Sequence, residues 1–347
     1  MLIRQSAPVL GASINPYQQP GEWQVSLGFR TLTSDTHFRR AHEEVQRRQL
    51  GTYVINRQNM ADLNATYAFT PRLSASVSVP FVAASWSIPT PTSPVPGPRA
   101  QQDARGLGDI SVLGRAWLFD PRCRLGGNLA IGLGVKAPTG EYAAMDTYPD
   151  RTGQNNQPRY VDQSVQPGDG GWGIVVEVQG FQRRGRFTFF GSGTYLINPR
   201  NTNGTPSLVV ARSGSIVVTP ANANRLVNSV PDQYVARVGV ATRLKRQLAG
   251  SVAWRVEGLP RYDLIGRSDG FRRPGISFYV EPGVSWGSGR QQMSFSVPIA
   301  FYRNRMPDPY TGVEGDATFP RFIVLAGYGL RLGKPLAPPQ VGTADAR

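Results

Sequence analysis

Residues Leu107–Tyr142 read LGDISVLGRAWLFD (107–120), PRCRLGG (121–127) and NLAIGLGVKAPTGEY (128–142). In the second arm Leu129, Ile131, Leu133 and Val135 alternate with Ala130, Gly132, Gly134 and Lys136. In the first arm Ile110, Val112, Ala116 and Leu118 alternate with Asp109, Ser111 and Arg115. Period-two alternation is what a pleated strand needs when its two faces meet different surroundings. A short polar turn joins the arms into an antiparallel hairpin. One face is apolar and the other small, polar or charged, and a lone hairpin cannot hide the apolar face.

The same alternation recurs in both directions. Upstream, Trp23–Thr31 sets Trp23, Val25, Leu27 and Phe29 opposite Gln24, Ser26 and Arg30; Asn59–Phe69 and Leu73–Ala83 behave alike. Downstream, strands six to twelve are expected around Trp172–Gln179, Phe187–Tyr195, Tyr234–Val240, Leu248–Glu257, Ile276–Trp286, Met293–Phe301 and Phe322–Leu332. The count is twelve strands, joined by six long and five short connections in strict alternation. That is the mark of an all-β, 12-stranded antiparallel up-and-down barrel with long loops on one rim and short turns on the other. Both termini fall on the short-turn rim. Thr33–Arg57, the Pro-rich run after Ala83, the stretch from Tyr142 to Gly171 and that from Asn198 to Asp232 are expected as loops. Residues 1–21 form an extended lead-in that could fold back as a plug, 22–332 form the barrel, and the Pro-rich tail 333–347 is expected to be disordered.

Alternation alone does not say which face looks outward, since a soluble barrel shows the same period. Three features favour a transmembrane barrel over a soluble sandwich or barrel. Aromatic residues stand near strand ends (Trp23, Phe69, Trp172, Tyr234, Trp254, Trp286, Phe301), as girdles at lipid–water interfaces require. The polar faces are rich in Gly, Ser and Ala, which suits a narrow lumen. Twelve strands also enclose too much space for Leu and Val alone to fill. No run approaches the ~20 apolar residues of a membrane-spanning helix, and mean hydropathy is −0.29. The opening MLIRQSAPVL carries no visible secretory signal.

Composition narrows the chemistry. One cysteine, Cys123, permits no internal disulfide, and two histidines, His37 and His42, are too few and badly spaced for a zinc pair. Asp263, Asp269, Asp308, Glu314 and Asp316 lie in expected loops, where calcium ligation and simple solvation are the two readings. No GxSxG elbow and no phosphate loop is present, so no enzyme and no cofactor is expected. The net charge of +15 is not gathered into a nucleic-acid motif. Much of it falls on the short turns, at Arg72, Arg122, Arg124, Arg183, Arg184, Arg186, Arg243, Lys245, Arg246 and Arg290, where anionic phospholipid heads are the expected partner.

Gly106–Tyr142 resembles the outer-membrane proteins associated with the phenol meta-degradation pathway (MetA-type), through Gly106-Leu107-Gly108-Asp109 and Pro138-Thr139-Gly140. The resemblance implies a barrel placed by the outer-membrane assembly machinery, with periplasmic termini, that passes small and hydrophobic or aromatic solutes. The residues expected to line its lumen are Arg30, Asp62, Asp109, Arg115, Lys136, Glu177, Arg237, Arg255, Glu257, Tyr279, Glu281 and Arg331. Their mixed charges can pair across the interior and stiffen the wall, or form a narrow polar conduit. Trp117 fits either the lumen or the girdle. Two functions remain: a channel for small solutes, or a plugged structural or surface-binding barrel. Association into a homo-oligomer is left open.

Overall fold

The structure, a computed structural model, describes residues 16–90, 97–213, 217–220 and 222–333. The expected tail, beyond Gly333, and residues 1–15 lie outside the described residues. Strands one to three run Trp23–Arg39, Ile55–Ala68 and Leu73–Pro89. Strand four comes in two pieces, Arg99–Leu107 and Ser111–Trp117, followed by Gly127–Lys136, Gly173–Arg184, Phe187–Ile197, Gln233–Arg243, Leu248–Leu259 and Gly275–Ser288. Strand eleven is also divided, into Gln291–Ser296 and Ile299–Arg305, and strand twelve is Ala317–Leu332. Neighbours pair antiparallel, and strand twelve returns to strand one from Trp23↔Leu332 to Phe38↔Ala317. The sheet therefore closes with no free edge.

The apolar stripes face outward. Leu129, Ile131, Leu133 and Val135 are exposed, while Ala130 and Lys136 between them are buried. On strand one Leu27 and Phe29 are exposed, and Arg30 and Leu32 buried. An exposed apolar band around a closed, polar-centred barrel is the surface of a protein dissolved in lipid. Trp23, Phe69, Trp172, Trp254 and Phe301 stand exposed on that surface.

Several strands are longer than the alternation indicates. A lipid crossing needs ~9–11 residues, yet strands one and three have 17 each. The surplus rises beyond the lipid, where both faces meet protein or water and the apolar stripe stops. The expected loop Thr33–Arg57 is thus partly strand, running on to Arg39, with a two-residue strand, His42–Glu43, paired back onto it and a single helical turn, Val45–Gln49. Strand three continues past Ala83 with Val82, Ala84 and Trp86 buried on its inner side, and Arg99–Leu107 extends strand four above its break.

The expected surface loop between strands five and six folds inward instead. Tyr148, Val161 and Val165 are fully buried against Met60, Val82, Trp86 and Leu208. Asp162 forms a two-point pair with Arg273 at 2.8 and 2.6 Å. Gln102 accepts the Asp162 amide at 2.7 Å, and Gln58 donates to the Ser164 carbonyl at 2.9 Å.

The motif behind the resemblance anchors this inner segment at the break in strand four. Asp109 accepts the amides of Gly140 at 3.0 Å and Asp169 at 3.1 Å. Thr139 Oγ1 accepts the Ile110 amide at 2.8 Å and donates to the Gly108 carbonyl at 3.1 Å. Gly108, Gly140 and Gly168 meet backbone to backbone: a Cβ on Gly140 would lie 2.8 Å from the Gly168 Cα and 2.9 Å from Gly108.

At the loop rim, Asp316 joins strand twelve to the cap above strand one. His37 Nδ1 and Arg47 each reach Asp316 Oδ2 at 2.7 Å, and His37 Nε2 accepts the Val54 amide at 2.8 Å. Burial of Asp316 works against its charge, but the His37 bond and the Arg47 charge outweigh it and lower the carboxyl to about 2. A depressed carboxylate stabilises the folded state above its unfolded value near ~4 and loses that contribution as pH falls through its folded value. Hydrogen exchange at the Val54 and Val45–Gln49 amides should therefore keep its protection from pH 7 to 5 and lose it between about pH 4 and 2. Asp316→Asn should abolish that pH dependence.

Candidate functional site

Because every second residue of each strand points inward, the wall fills the barrel centre with polar groups. A buried ionic layer divides that space. Arg30 on strand one reaches Glu257 on strand nine with two bonds, at 2.7 and 3.0 Å. Those strands are not neighbours, so this pair crosses the lumen. Glu257 also accepts Arg255 at 3.0 and 3.1 Å and the Tyr279 hydroxyl at 3.4 Å. Glu281 receives Arg237 at 3.3 Å, Arg255 at 3.5 Å and the Ser296 hydroxyl at 3.1 Å. Alternating charges satisfy one another where no bulk water reaches, the condition under which buried ions are tolerated.

Below the layer, toward the turn rim, lies a cavity of about 340 Å³ with a hydroxyl- and amide-rich wall that includes Ser26, Asn64, Ser76, Gln179, Thr194 and Gln292. Asp62, Asp109, Arg115, Lys136, Glu177 and Arg331 also line it. Arg115 pairs with Glu177 at 2.7 Å, and Lys136 bonds Asp169 and lies 3.4 Å from Asp109. Above the layer lies a second cavity of about 390 Å³, with Leu32, Trp86, Ile88, Phe271, Phe319 and Tyr279 among polar groups such as His37, Asn56 and Gln58. Asp169 and Gln233 belong to the walls of both cavities, so the two adjoin at these residues, the neck of the lumen.

Residues Pro16–Gly21 lie at the turn-rim mouth of the lower cavity, whose wall includes Pro16 and Gln18. Tyr17 is buried against Trp117 and Phe181, with ring centroids 5.0 and 5.8 Å away. Its hydroxyl donates to the Arg124 carbonyl at 2.5 Å, and Arg331 donates to its carbonyl at 3.1 Å. Trp117 thus points into the lumen, not into the girdle.

Of the twelve residues expected on the lumen side, Arg30, Arg237, Arg255, Glu257, Tyr279 and Glu281 lie in or beside the layer, and Asp62, Asp109, Arg115, Lys136, Glu177 and Arg331 line the lower cavity. Sequence reasoning missed the neck, Asp169 and Gln233, and the aromatic side of the upper cavity. Trp86 carried a signal, since it shares strand parity with Ser78 and Val82.

His37, Glu44 and Asp316 place their ligand atoms within 4.8 Å of one another. Both His37 ring nitrogens are engaged and Arg47 sits on Asp316, so this set is an ion-pair network and fits no metal. His42 is exposed. Four of the five loop acids, Asp316 among them, make ion pairs. Asp263 binds Arg272 at 2.8 and 2.5 Å, Glu314 binds Arg40 at 2.5 Å, Asp269 lies 3.3 Å from Arg267, and Asp308 caps a turn at Tyr310 and Thr311. Cys123 is free and exposed in its turn.

A closed twelve-stranded barrel with a lipid-facing band and a polar, partly filled centre defines a membrane-spanning β-barrel. Among solved structures it is similar to an outer membrane channel from Pseudomonas putida F1, at 11% identity over 91% of this chain and 97% of that one, with a TM-score of 0.59. Looser likenesses are the toluene transporters TbuX of Ralstonia pickettii (TM-score 0.42, 11% identity, 91% and 90% covered) and TodX of P. putida (0.43, 9%, 91% and 91%). At these identities the likeness concerns the fold. No family model and no curated protein matches the chain.

Proposed function

We infer that this barrel is an outer-membrane channel for small solutes with an aromatic or partly apolar body, its termini in the periplasm. One observation carries the reading: two cavities are stacked along the barrel axis and share Asp169 and Gln233 as wall. The upper cavity offers rings and aliphatic groups beside amides, the mixture that holds an aromatic solute with a polar substituent. The lower cavity offers hydroxyls and amides, which exchange hydrogen bonds with water at little net cost. The resemblance of Gly106–Tyr142 to the phenol-pathway proteins supports the same solute class. Passage is passive in this reading, driven by the concentration gradient.

The inward segment 161–169, the ionic layer and Tyr17 favour a second reading, a plugged barrel that displays loops and transports nothing. Reconstitution into planar bilayers separates the two. Discrete conductance steps support the channel, and a stably inserted, silent barrel supports the plug. Removing residues 1–21 takes Tyr17 out of the turn-rim mouth and is expected to raise single-channel conductance severalfold. Unchanged conductance would place the main resistance at the neck.

A further inference from the structure

The outer wall carries a groove that the lumen does not use. It has a volume of about 530 Å³ and is lined by Phe187, Val240, Val252, Pro282, Val284 and Phe295 around Gly250 and Gly283. Its floor is low because Gly250, which shares the outward parity of Val252 and Trp254, has no side chain. Phe187 pairs with Thr242, Thr242 with Gly250, Gly250 with Val284 and Val284 with Phe295, so the groove crosses strands seven to eleven just above the turn rim.

The turns beneath it are basic without relief. Residues 183–187, 243–248 and 287–291 carry Arg183, Arg184, Arg186, Arg243, Lys245, Arg246 and Arg290 and no acidic residue. Continued by one residue, the register that joins Phe187 to Thr242 sets the backbones of Arg186 and Arg243 opposite each other below the groove, with Arg243 on the inward parity, where it pairs with the buried Ala249. Arg186 lies over the Phe187 ring, 4.9 Å from its centroid, at the groove's edge. Among the described residues Arg184, Arg186, Arg243, Lys245 and Arg246 have no ion-pair partner. The other sector of the rim differs. There Arg122 is paired with Asp120 at 2.6 Å, and Arg72 is spent on the carbonyls of Trp117 and Leu118 at 3.0 and 2.9 Å.

An apolar trough inside the lipid band, opening onto unpaired cations at headgroup level, matches an amphiphile with an oily chain and an anionic head. We propose that this groove is a binding site for one anionic glycerophospholipid of the turn-rim leaflet. An acyl chain fills the trough and the phosphate sits at the Arg186 guanidinium on its edge. Guanidinium groups suit phosphate through two-point hydrogen bonding, and each cation near such a surface strengthens binding by a factor of about five.

Native mass spectrometry of the full-length barrel, carried through detergent with equal phosphatidylglycerol and phosphatidylcholine, tests the site. The expected result is one retained phosphatidylglycerol, preferred about tenfold. Arg186→Gln should erase the preference, and Gly250→Leu, which fills the trough, should erase retention of both lipids. Arg122→Gln should change nothing. Heat-modifiable migration on gels confirms folding of each variant. Equal retention of the two lipids, or wild-type retention in Gly250→Leu, overturns the proposal. So does a barrel dimer that Gly250→Leu dissociates without touching retained lipid, since the groove then seats a second copy.

Discussion

Glu257→Ala should cost the barrel about 3–5 kcal/mol, because it strips two guanidinium groups of their shared anion in a space closed to water. Arg30 and Arg255 are both buried, and Glu257 takes four of their hydrogen bonds at 2.7–3.1 Å. Arg255 retains Glu281 at 3.5 Å, but Arg30 keeps no acidic partner among its recorded ion pairs. The cost of a buried pair lies mostly in what one member suffers when the other is removed. The double change Arg30→Met with Glu257→Met removes both ends of the lumen-crossing pair and should be far milder. Urea unfolding in vesicles, followed by tryptophan fluorescence, measures both variants. If Glu257→Ala unfolds at the wild-type urea midpoint, the layer is hydrated and its ions are screened. The double variant also clears the bridge across the lumen, so its single-channel conductance should rise while its stability holds.

The contrast between what the sequence discloses and what it hides follows from what each environment demands. Lipid tolerates only apolar side chains, so every second residue of a crossing strand must comply, and Leu129, Ile131, Leu133 and Val135 announce their face. The inward face is then fixed by parity, which is why Arg30, Glu177 and Arg255 could be assigned from one chain alone. Their partners could not, for Arg30 and Glu257 stand 227 residues apart and charge carries no period. The lumen also accepts apolar groups where they meet one another. Leu113, Trp117 and Phe190 sit on the polar parity, and Tyr17 comes from outside the barrel. Above the lipid the rule lapses altogether. The strand Arg99–Leu107 reads RAQQDARGL and gives no stripe, and the buried Tyr148, Val161 and Val165 are scattered through a stretch that is otherwise loop-like.

Gly140→Ala should open the barrel from within. The added methyl has no room: its nearest neighbours are the Gly168 Cα at 2.8 Å and Gly108 backbone atoms at 2.9 Å, and backbone cannot swing aside as a long side chain can. Overpacking of this kind costs about 1–3 kcal/mol where the surroundings yield, and the part free to yield is the inner segment. That segment is held at its near end by Asp109 and Thr139 and farther along by the Asp162–Arg273 pair. The sheet, tied by strand pairing on both sides, stays. Displacement of Gly168 carries Asp169 away from Lys136 and so widens the neck that both cavities share. Single-channel conductance should rise severalfold, and trypsin should cut at Arg151 and Arg159 faster than in the wild type. Thr139→Val removes two hydrogen bonds at the same joint without adding bulk and should produce a smaller change in both readings. Wild-type conductance and cleavage in Gly140→Ala would mean that the three glycines only fit together and do not hold the segment in place.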